Sequence, residues 1–142
     1  MNLIERVQEM YAEFSRGNVD GILQHFDENI EWEYGYANPA ALTYLQPRQG
    51  RAQTREFFAA LNDFDFQRFN PHTYLTTDRT VVVLLDIELT VKTNGNRITE
   101  LDEVHIWHFN ERDLVQRFKH KFDVYNFLLG INNLKPGFHL AG

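Results

Sequence analysis

The sequence predicts a single α+β domain in which helices come first and an antiparallel sheet follows. Three observations support this fold class. Apolar residues recur every three or four positions in the N-terminal part, which is typical of amphipathic helices. The period changes to two at Ile30, and turn sequences such as Asn94-Gly95 then divide the chain into strands. Helices followed by a run of strands indicate an α+β fold.

Three helices are expected before the main run of strands. The first covers about the first sixteen residues and ends at Gly17, a common helix stop. Asn18 can cap a shorter second helix. A half-buried strand with alternating apolar residues then extends from Ile30 to Tyr36, and the third helix is expected over 50–62. Between them, the segment 37–49 has no clear period and is interpreted as a functional or mobile loop.

The C-terminal half is expected to form an antiparallel meander. Four strands are predicted at about 64–77, 80–91, 98–109 and 114–123. Their three turns fall at Asp78-Arg79, Asn94-Gly95 and Glu111-Arg112. A last helix is expected over 124–133, and the domain is therefore assigned to residues 1–133, with a C-terminal tail at 134–142.

The composition limits the classes of function. The chain of 142 residues has no cysteine, which excludes disulfides, Cys-ligated zinc and thiol nucleophiles. Its net charge of −6 argues against nucleic acid as a partner. No apolar run approaches a membrane span, and Glu5 and Glu9 argue against a signal peptide. We therefore expect a cytoplasmic protein that contacts neither nucleic acid nor membrane.

Several short segments add a family resemblance over about residues 3–130. They are Tyr11-Ala12-Glu13-Phe14, Gly17-Asn18-Val19-Asp20-Gly21-Ile22, Phe26-Asp27-Glu28-Asn29-Ile30-Glu31-Trp32, Gly50-Arg51-Ala52, Phe57-Phe58, Trp107-His108-Phe109 and Phe122-Asp123. In this order and spacing the chain resembles nuclear transport factor 2-like domains, in their SnoaL-like and ketosteroid isomerase-related branch. The resemblance implies a cone in which N-terminal helices pack into a strongly bent antiparallel sheet, and a homodimer formed through the outer sheet face.

The resemblance also implies a range of functions. Such domains include isomerases, dehydratases, polyketide cyclases and proteins that only bind, so a small hydrophobic or cyclic molecule is the expected partner and no cofactor is expected. The three catalytic positions of ketosteroid isomerase fall on or beside Met10, Tyr34 and His105, and none keeps the isomerase residue. This departure argues against ketosteroid isomerase chemistry in its usual form.

Hairpin register predicts which side chains share a face of the sheet. A two-residue Asn94-Gly95 turn pairs Asp86 with Glu103, and a Glu111-Arg112 turn places Glu103 opposite His120. The inner face is then expected to carry a row of Asp86, Glu103 and His120, with His105 one step along. Two facing carboxylates raise one another's pKa, and an adjacent imidazole can share the proton.

This row predicts a proton-transfer site in an aromatic pocket. His105 or His120 would act as acid or base, Glu103 and Asp86 would tune them, and Tyr34 would donate to a developing oxyanion. The expected ligand-binding walls are Trp32, Trp107, Phe118, Leu84 and Met10.

Three other interpretations remain open at this point. The two histidines can be structural groups satisfied by the two carboxylates, without substrate chemistry. The same four side chains could bind a divalent metal, although nothing in the resemblance requires one. The protein can also be a non-catalytic dimeric ligand carrier or an interaction domain whose pocket is filled by packing.

Overall fold

A computed structural model describes residues 1–36 and 45–132 and confirms the α+β class. The four helices are α1 (Leu3–Ser15), α2 (Val19–Leu23), α3 (Gly50–Ala60) and α4 (Val124–Ile131), with a short 3-10 helix at Leu61–Asp63. The six strands are β1 (Phe26–Trp32), β2 (Arg48–Gln49), β3 (Phe64–Thr77), β4 (Thr80–Val91), β5 (Arg97–Phe109) and β6 (Val115–Lys121). None of the described helices is long and apolar enough to cross a membrane.

Side-chain caps fix where the first helices begin. The Asn2 side chain accepts the Glu5 N–H at 2.8 Å at the start of α1, and the Asn18 side chain accepts the Gly21 N–H at 3.0 Å at the start of α2. Gly17 has a φ of 71° and lets the chain turn sharply between the two helices. The predicted helix boundaries in this part of the chain are therefore confirmed.

The six strands form one curved, open sheet in the order β2-β1-β6-β5-β4-β3. β3 to β6 are an antiparallel meander, as predicted, whereas β1 pairs with β6 in parallel. The inner face packs against the helices in two apolar clusters. One is centred on α1, β1 and β6, and the other lies where α4 covers β4 and the start of β5.

Two segments singled out in the sequence fall partly or wholly outside the described residues. In the expected loop 37–49, residues 37–44 are not described, whereas Leu45 is buried and Arg48–Gln49 form β2. The proposed tail 134–142 also lies outside the described residues.

The predicted register of the β4–β5 hairpin is wrong. Its loop has four residues rather than two, because Val91 and not Thr93 pairs with Asn96. A bulge at 101–102 then shifts the pairing back by one residue toward the predicted register. As a result, Glu103 lies opposite Leu85 and His105 lies opposite Val83. The net slip of one residue places Asp86 and Leu84 on the outer face, because side chains alternate between faces.

The β5–β6 register is also wrong, but with a smaller consequence. Its loop includes Leu114, and a bulge precedes Phe109, so that Trp107 pairs with Phe118 and His105 pairs with His120. The prediction paired His105 with Phe118. A slip of two residues preserves the face, so His105 and His120 both remain on the inner side.

Candidate functional site

The inner face of the sheet and the helices enclose a cavity of about 110 Å³. Its wall is mostly aromatic and aliphatic, and the lining residues come from α1 to α4, from β1 and from β3 to β6. The polar lining side chains are few and lie together on β5 and β6, apart from one tyrosine on α1. They are Tyr11, Glu100, Glu103, His105 and His120.

A continuous chain of hydrogen bonds supports one side of this polar group. The indole Nε1–H of Trp107 donates to the Tyr11 hydroxyl at 3.1 Å, and the hydroxyl lies 2.7 Å from Nδ1 of His105. His105 Nε2 lies 2.9 Å from Oε2 of Glu103. One proton assignment satisfies every member: Tyr11 donates to Nδ1, and the Nε2–H of a neutral His105 donates to Glu103. Glu103 is thereby held at the cavity wall.

A second pair supports His120 from the opposite direction. Glu33 is fully buried, and its Oε1 accepts the backbone N–H of His120 at 2.8 Å. Its other oxygen contacts His120 Nδ1 as an ion pair. Among residues 1–36 and 45–132, no group hydrogen-bonds the remaining ring nitrogen, Nε2. Because His120 lines the cavity, this nitrogen is the one available to a ligand.

The environments shift the pKa values of the two histidines in opposite directions. Burial lowers the pKa of His105 below its ordinary value of 6.5, although Glu103 partly opposes this effect. Burial would also lower the pKa of His120, but the contact with Glu33 outweighs it and raises the pKa above 6.5. The rings lie 5.9 Å apart between centroids. The environments of the cavity therefore favour the neutral form of His105 and the protonated form of His120.

The structure brings together most of the predicted site residues. Glu103, His105 and His120 are adjacent, and the cavity is lined by four of the five predicted wall residues, namely Met10, Trp32, Trp107 and Phe118. The expected inner row through Asp86 is wrong, since Asp86 accepts the Asp102 N–H and contacts His72 on the outer face. Leu84 is likewise on the outer face, opposite Val104.

Tyr34 also lies outside the cavity. β1 ends at Trp32, and Glu33 has a φ of 57°, so the alternation expected through Tyr36 stops there. The Tyr34 hydroxyl lies 2.8 Å from Nε2 of His108, and the Arg117 guanidinium stacks 3.9 Å from the centre of its ring. The expected oxyanion contact from Tyr34 is therefore not made by this geometry.

Sequence reasoning missed Glu33 and Tyr11, the two residues that hold the histidines. Glu33 alternates with the apolar residues of the strand expected over 30–36, a pattern that favours a side chain directed toward solvent. Tyr11 lies within the apolar stripe of α1, where it was interpreted as core packing. The one available signal in the sequence was Gly35, two residues after Glu33, because a glycine there indicates an irregular strand end.

The described residues that could hold a metal ion are not the four side chains expected from the sequence. Among the described residues, His72, Asp86 and Asp102 place potential ligand atoms within 4.8 Å of one another on the outer face. Arg68 also approaches Asp86, at 3.4 Å. This positive neighbour and the contacts of His72 with both aspartates explain the group as an ion-pair cluster beside the β5 bulge.

Comparisons with known proteins agree with this architecture. A model of the SnoaL-like domain matches residues 7–118 of the chain. No curated protein matches it. A nuclear transport factor 2-like protein of unknown function from Burkholderia pseudomallei is 21% identical, with a TM-score of 0.79 over 92% of this chain and 98% of that chain.

Two further solved structures carry more specific names. TerC, co-crystallised with polyporic acid, is 24% identical, with a TM-score of 0.72 over 92% of this chain and 98% of that chain. A candidate polyketide cyclase from Xanthomonas campestris pv. campestris is 15% identical, with a TM-score of 0.72 over 91% of this chain and 96% of that chain. At these identities the likeness shows the shared fold.

Proposed function

Because this chain belongs to the SnoaL-like family, we propose that it binds a small hydrophobic ring compound in its cavity and moves a proton on it without a cofactor. The proposal rests on one observation: two polar side chains, Glu103 and His120, lie at the wall of one apolar cavity, and each is held in place by neighbouring residues. Glu103 is held by His105 and Tyr11, and His120 is held by Glu33. The two histidines have pKa values shifted in opposite directions, an arrangement typical of sites with acid and base roles.

In the proposed reaction Glu103 is the base and His120 is the acid. Within the described part of the chain, Glu103 Oε1 has no hydrogen-bond partner, whereas Oε2 is fixed by His105. The carboxylate would take a proton from a carbon next to a ligand carbonyl, and the electron pair would move onto the carbonyl oxygen. His120 Nε2–H would donate to that oxygen as its negative charge develops. Where the ligand carries a carbon–carbon double bond β,γ to that carbonyl, the charge is shared with the γ carbon, and return of the proton to the γ carbon completes an isomerisation.

The apolar wall favours this chemistry for a physical reason. Charges interact more strongly where water is excluded, so one imidazolium stabilises an enolate more effectively in the cavity than in solution. The name of the Xanthomonas neighbour, a candidate polyketide cyclase, supports the same class of carbonyl substrates, although it belongs to that protein.

The test is hydrogen exchange on 2-tetralone, a bicyclic ketone with acidic hydrogens beside its carbonyl. In D₂O at neutral pH, the protein should accelerate loss of the α-proton signals in ¹H NMR. Glu103→Gln and His120→Gln should each reduce this acceleration by about 10²-fold or more, the usual contribution of a general acid or base. His108→Gln is the matched control, because His108 lies on the outer face of the same strand as His105.

A second candidate function is ligand binding without chemistry, which the closed hydrogen-bond chain from Trp107 to Glu103 favours. The same experiment separates the two. Saturable shifts of the tetralone signals without faster exchange would indicate a protein that only binds the ligand. The assignment of Glu103 as base and His120 as acid would then be abandoned. Absence of both effects would also count against ring ketones as ligands.

A further inference from the structure

The charges around the cavity are unevenly balanced. Three carboxylates are buried at or beside its wall, since Glu33 is 0%, Glu100 8% and Glu103 8% exposed. His120, whose pKa is raised mainly by its contact with Glu33, is the partner of that carboxylate. Among the described residues that line the cavity there is no lysine or arginine. His120 also lines the cavity but is already paired with Glu33, so Glu100 and Glu103 have no cationic side chain of their own among these lining residues.

Glu100 faces the cavity only because of the bulge in β5. Regular alternation would put residues 100 and 103 on opposite faces, but the bulge, where Leu101 and Asp102 lie opposite the single residue Asp86, adds one residue and turns both carboxylates inward. Asp102 has a φ of 58°, and its N–H bonds to Asp86 on the other side of the sheet. The bulge thus adds a second acidic position to the cavity wall.

The groups that hold Glu100 leave it able to accept further hydrogen bonds. Its Oε1 accepts from the Asn126 side-chain amide at 3.1 Å, and its Oε2 lies 3.4 Å from the backbone N of Asp123. Both neighbours lie at the start of α4, where Asp123 is the N-cap of the helix. A carboxylate oxygen has two acceptor sites, so a ligand donor can be added to either oxygen.

We propose that the ligand of this cavity is a neutral or cationic ring compound whose hydroxyl or ammonium group donates to Glu100, and that anionic ring compounds are rejected. The inference rests on the proposed function, since it names the class of molecule for the same cavity. A carboxylate ligand beside Glu100 and Glu103 is repelled, and His120, already paired with Glu33, offsets only part of its lost hydration. Protonation of Glu100 would favour the binding of such a ligand.

Three probes with one ring system test the rule directly. They are 2-naphthol, which is neutral, 2-naphthylmethylamine, which is protonated at pH 7, and 2-naphthoate, which is an anion. Calorimetric titration of the full chain should give dissociation constants for the first two that are at least about tenfold lower than for naphthoate. The affinity for naphthoate should rise as the pH falls.

Two variants assign the selectivity to Glu100. Glu100→Gln keeps the shape of the side chain and an acceptor oxygen but removes the negative charge. It should therefore lower the affinity for the ammonium probe about tenfold and raise the affinity for naphthoate. Glu88→Gln is the matched control, because Glu88 lies on the outer face of β4, and it should leave all three constants unchanged. If Glu100→Gln does not fold, the ratio of naphthol to naphthoate affinity in the unsubstituted protein still tests whether the cavity rejects anionic ring compounds.

The outcomes separate this inference from the proposed function. If naphthoate binds as tightly as the other two probes, the charge rule is wrong while ring binding stands. If Glu100→Gln and Glu88→Gln change the constants equally, Glu100 is not the determinant. If none of the probes binds, the proposed ligand class itself fails.

Discussion

Glu33 follows the last residue of β1 with a φ of 57°, a conformation that L-residues adopt rarely. This left-handed residue turns a polar side chain into the core, where it accepts the backbone N–H of His120 and contacts the ring. The same turn sends Tyr34 to the outer face. One backbone angle thus decides which of two neighbouring side chains supports the site.

Glu33→Gln should change the pH dependence of stability in a defined direction. The pKa of His120 is raised by Glu33, so the pair contributes stability that is fully present below the unfolded histidine value of about 6.5. That contribution is lost as the pH rises through the folded pKa. The unfolding free energy should therefore fall by about 1–3 kcal/mol near pH 6, and by less near pH 9.

Urea unfolding at the two pH values measures this difference. Glu31→Gln on the exposed side of β1 is the control, because its partner Arg117 is also exposed and the pair contributes little. In parallel, NMR titration of His120 should give a lower pKa in Glu33→Gln. A pKa that does not move on this substitution would contradict the ion pair.

At the scale of the elements, α4 closes one end of the cavity. Its Phe127 lines the cavity, and Gly130 packs so closely on β5 that an added Cβ would meet the Ile98 side chain at 2.5 Å. Asn126 also donates to the Thr99 carbonyl and to Glu100. The position of α4 is therefore fixed by close packing together with hydrogen bonds to the strand that carries the site.

Gly130→Ala should destabilise the protein although alanine is the better helix former. The clash with Ile98 should cost about 1–3 kcal/mol, which exceeds the gain in helix propensity of about 1 kcal/mol. In an Ile98→Ala background the clashing atoms are absent, so the same substitution should cost nothing or stabilise. A double-mutant cycle of thermal or urea unfolding measures the coupling, and additive effects would contradict the proposed packing.

At the scale of the whole molecule, the outer sheet face remains to be explained. Half-buried apolar side chains occupy its centre, flanked by the cationic side chains of β6. They are Val82, Leu84, Val104 and Ile106, with Arg117 and Lys119. We propose that this face forms a homodimer, as the resemblance to the family leads us to expect.

Sedimentation equilibrium should then give twice the chain mass of 16.8 kDa. Ile106→Lys should shift the protein to the monomer without unfolding it, because a charge at the centre of an apolar interface is costly to bury. Ala52→Lys is the control, because Ala52 is exposed on helix α3 and is not part of the outer sheet face. A monomeric mass for the unsubstituted protein would exclude the dimer.

Local patterns were sufficient to predict the elements, because periodicity, caps and turn residues act within a few positions of the chain. The α+β class, the end of the first helix at Gly17, the cap of the second helix at Asn18 and the order of the meander all follow from such patterns. The inward direction of Glu103, His105 and His120 was also predicted, since a slip of two residues keeps a side chain on its face.

Only the tertiary structure decided which groups complete the site. Loop length and the β5 bulge removed Asp86 and Leu84 from the inner face, and a left-handed Glu33 replaced Tyr34. Tyr11 reaches His105 across 94 positions of sequence. Sequence patterns record local preferences, whereas bulges and long-range hydrogen bonds are set by the balance of packing and polar satisfaction over the folded chain.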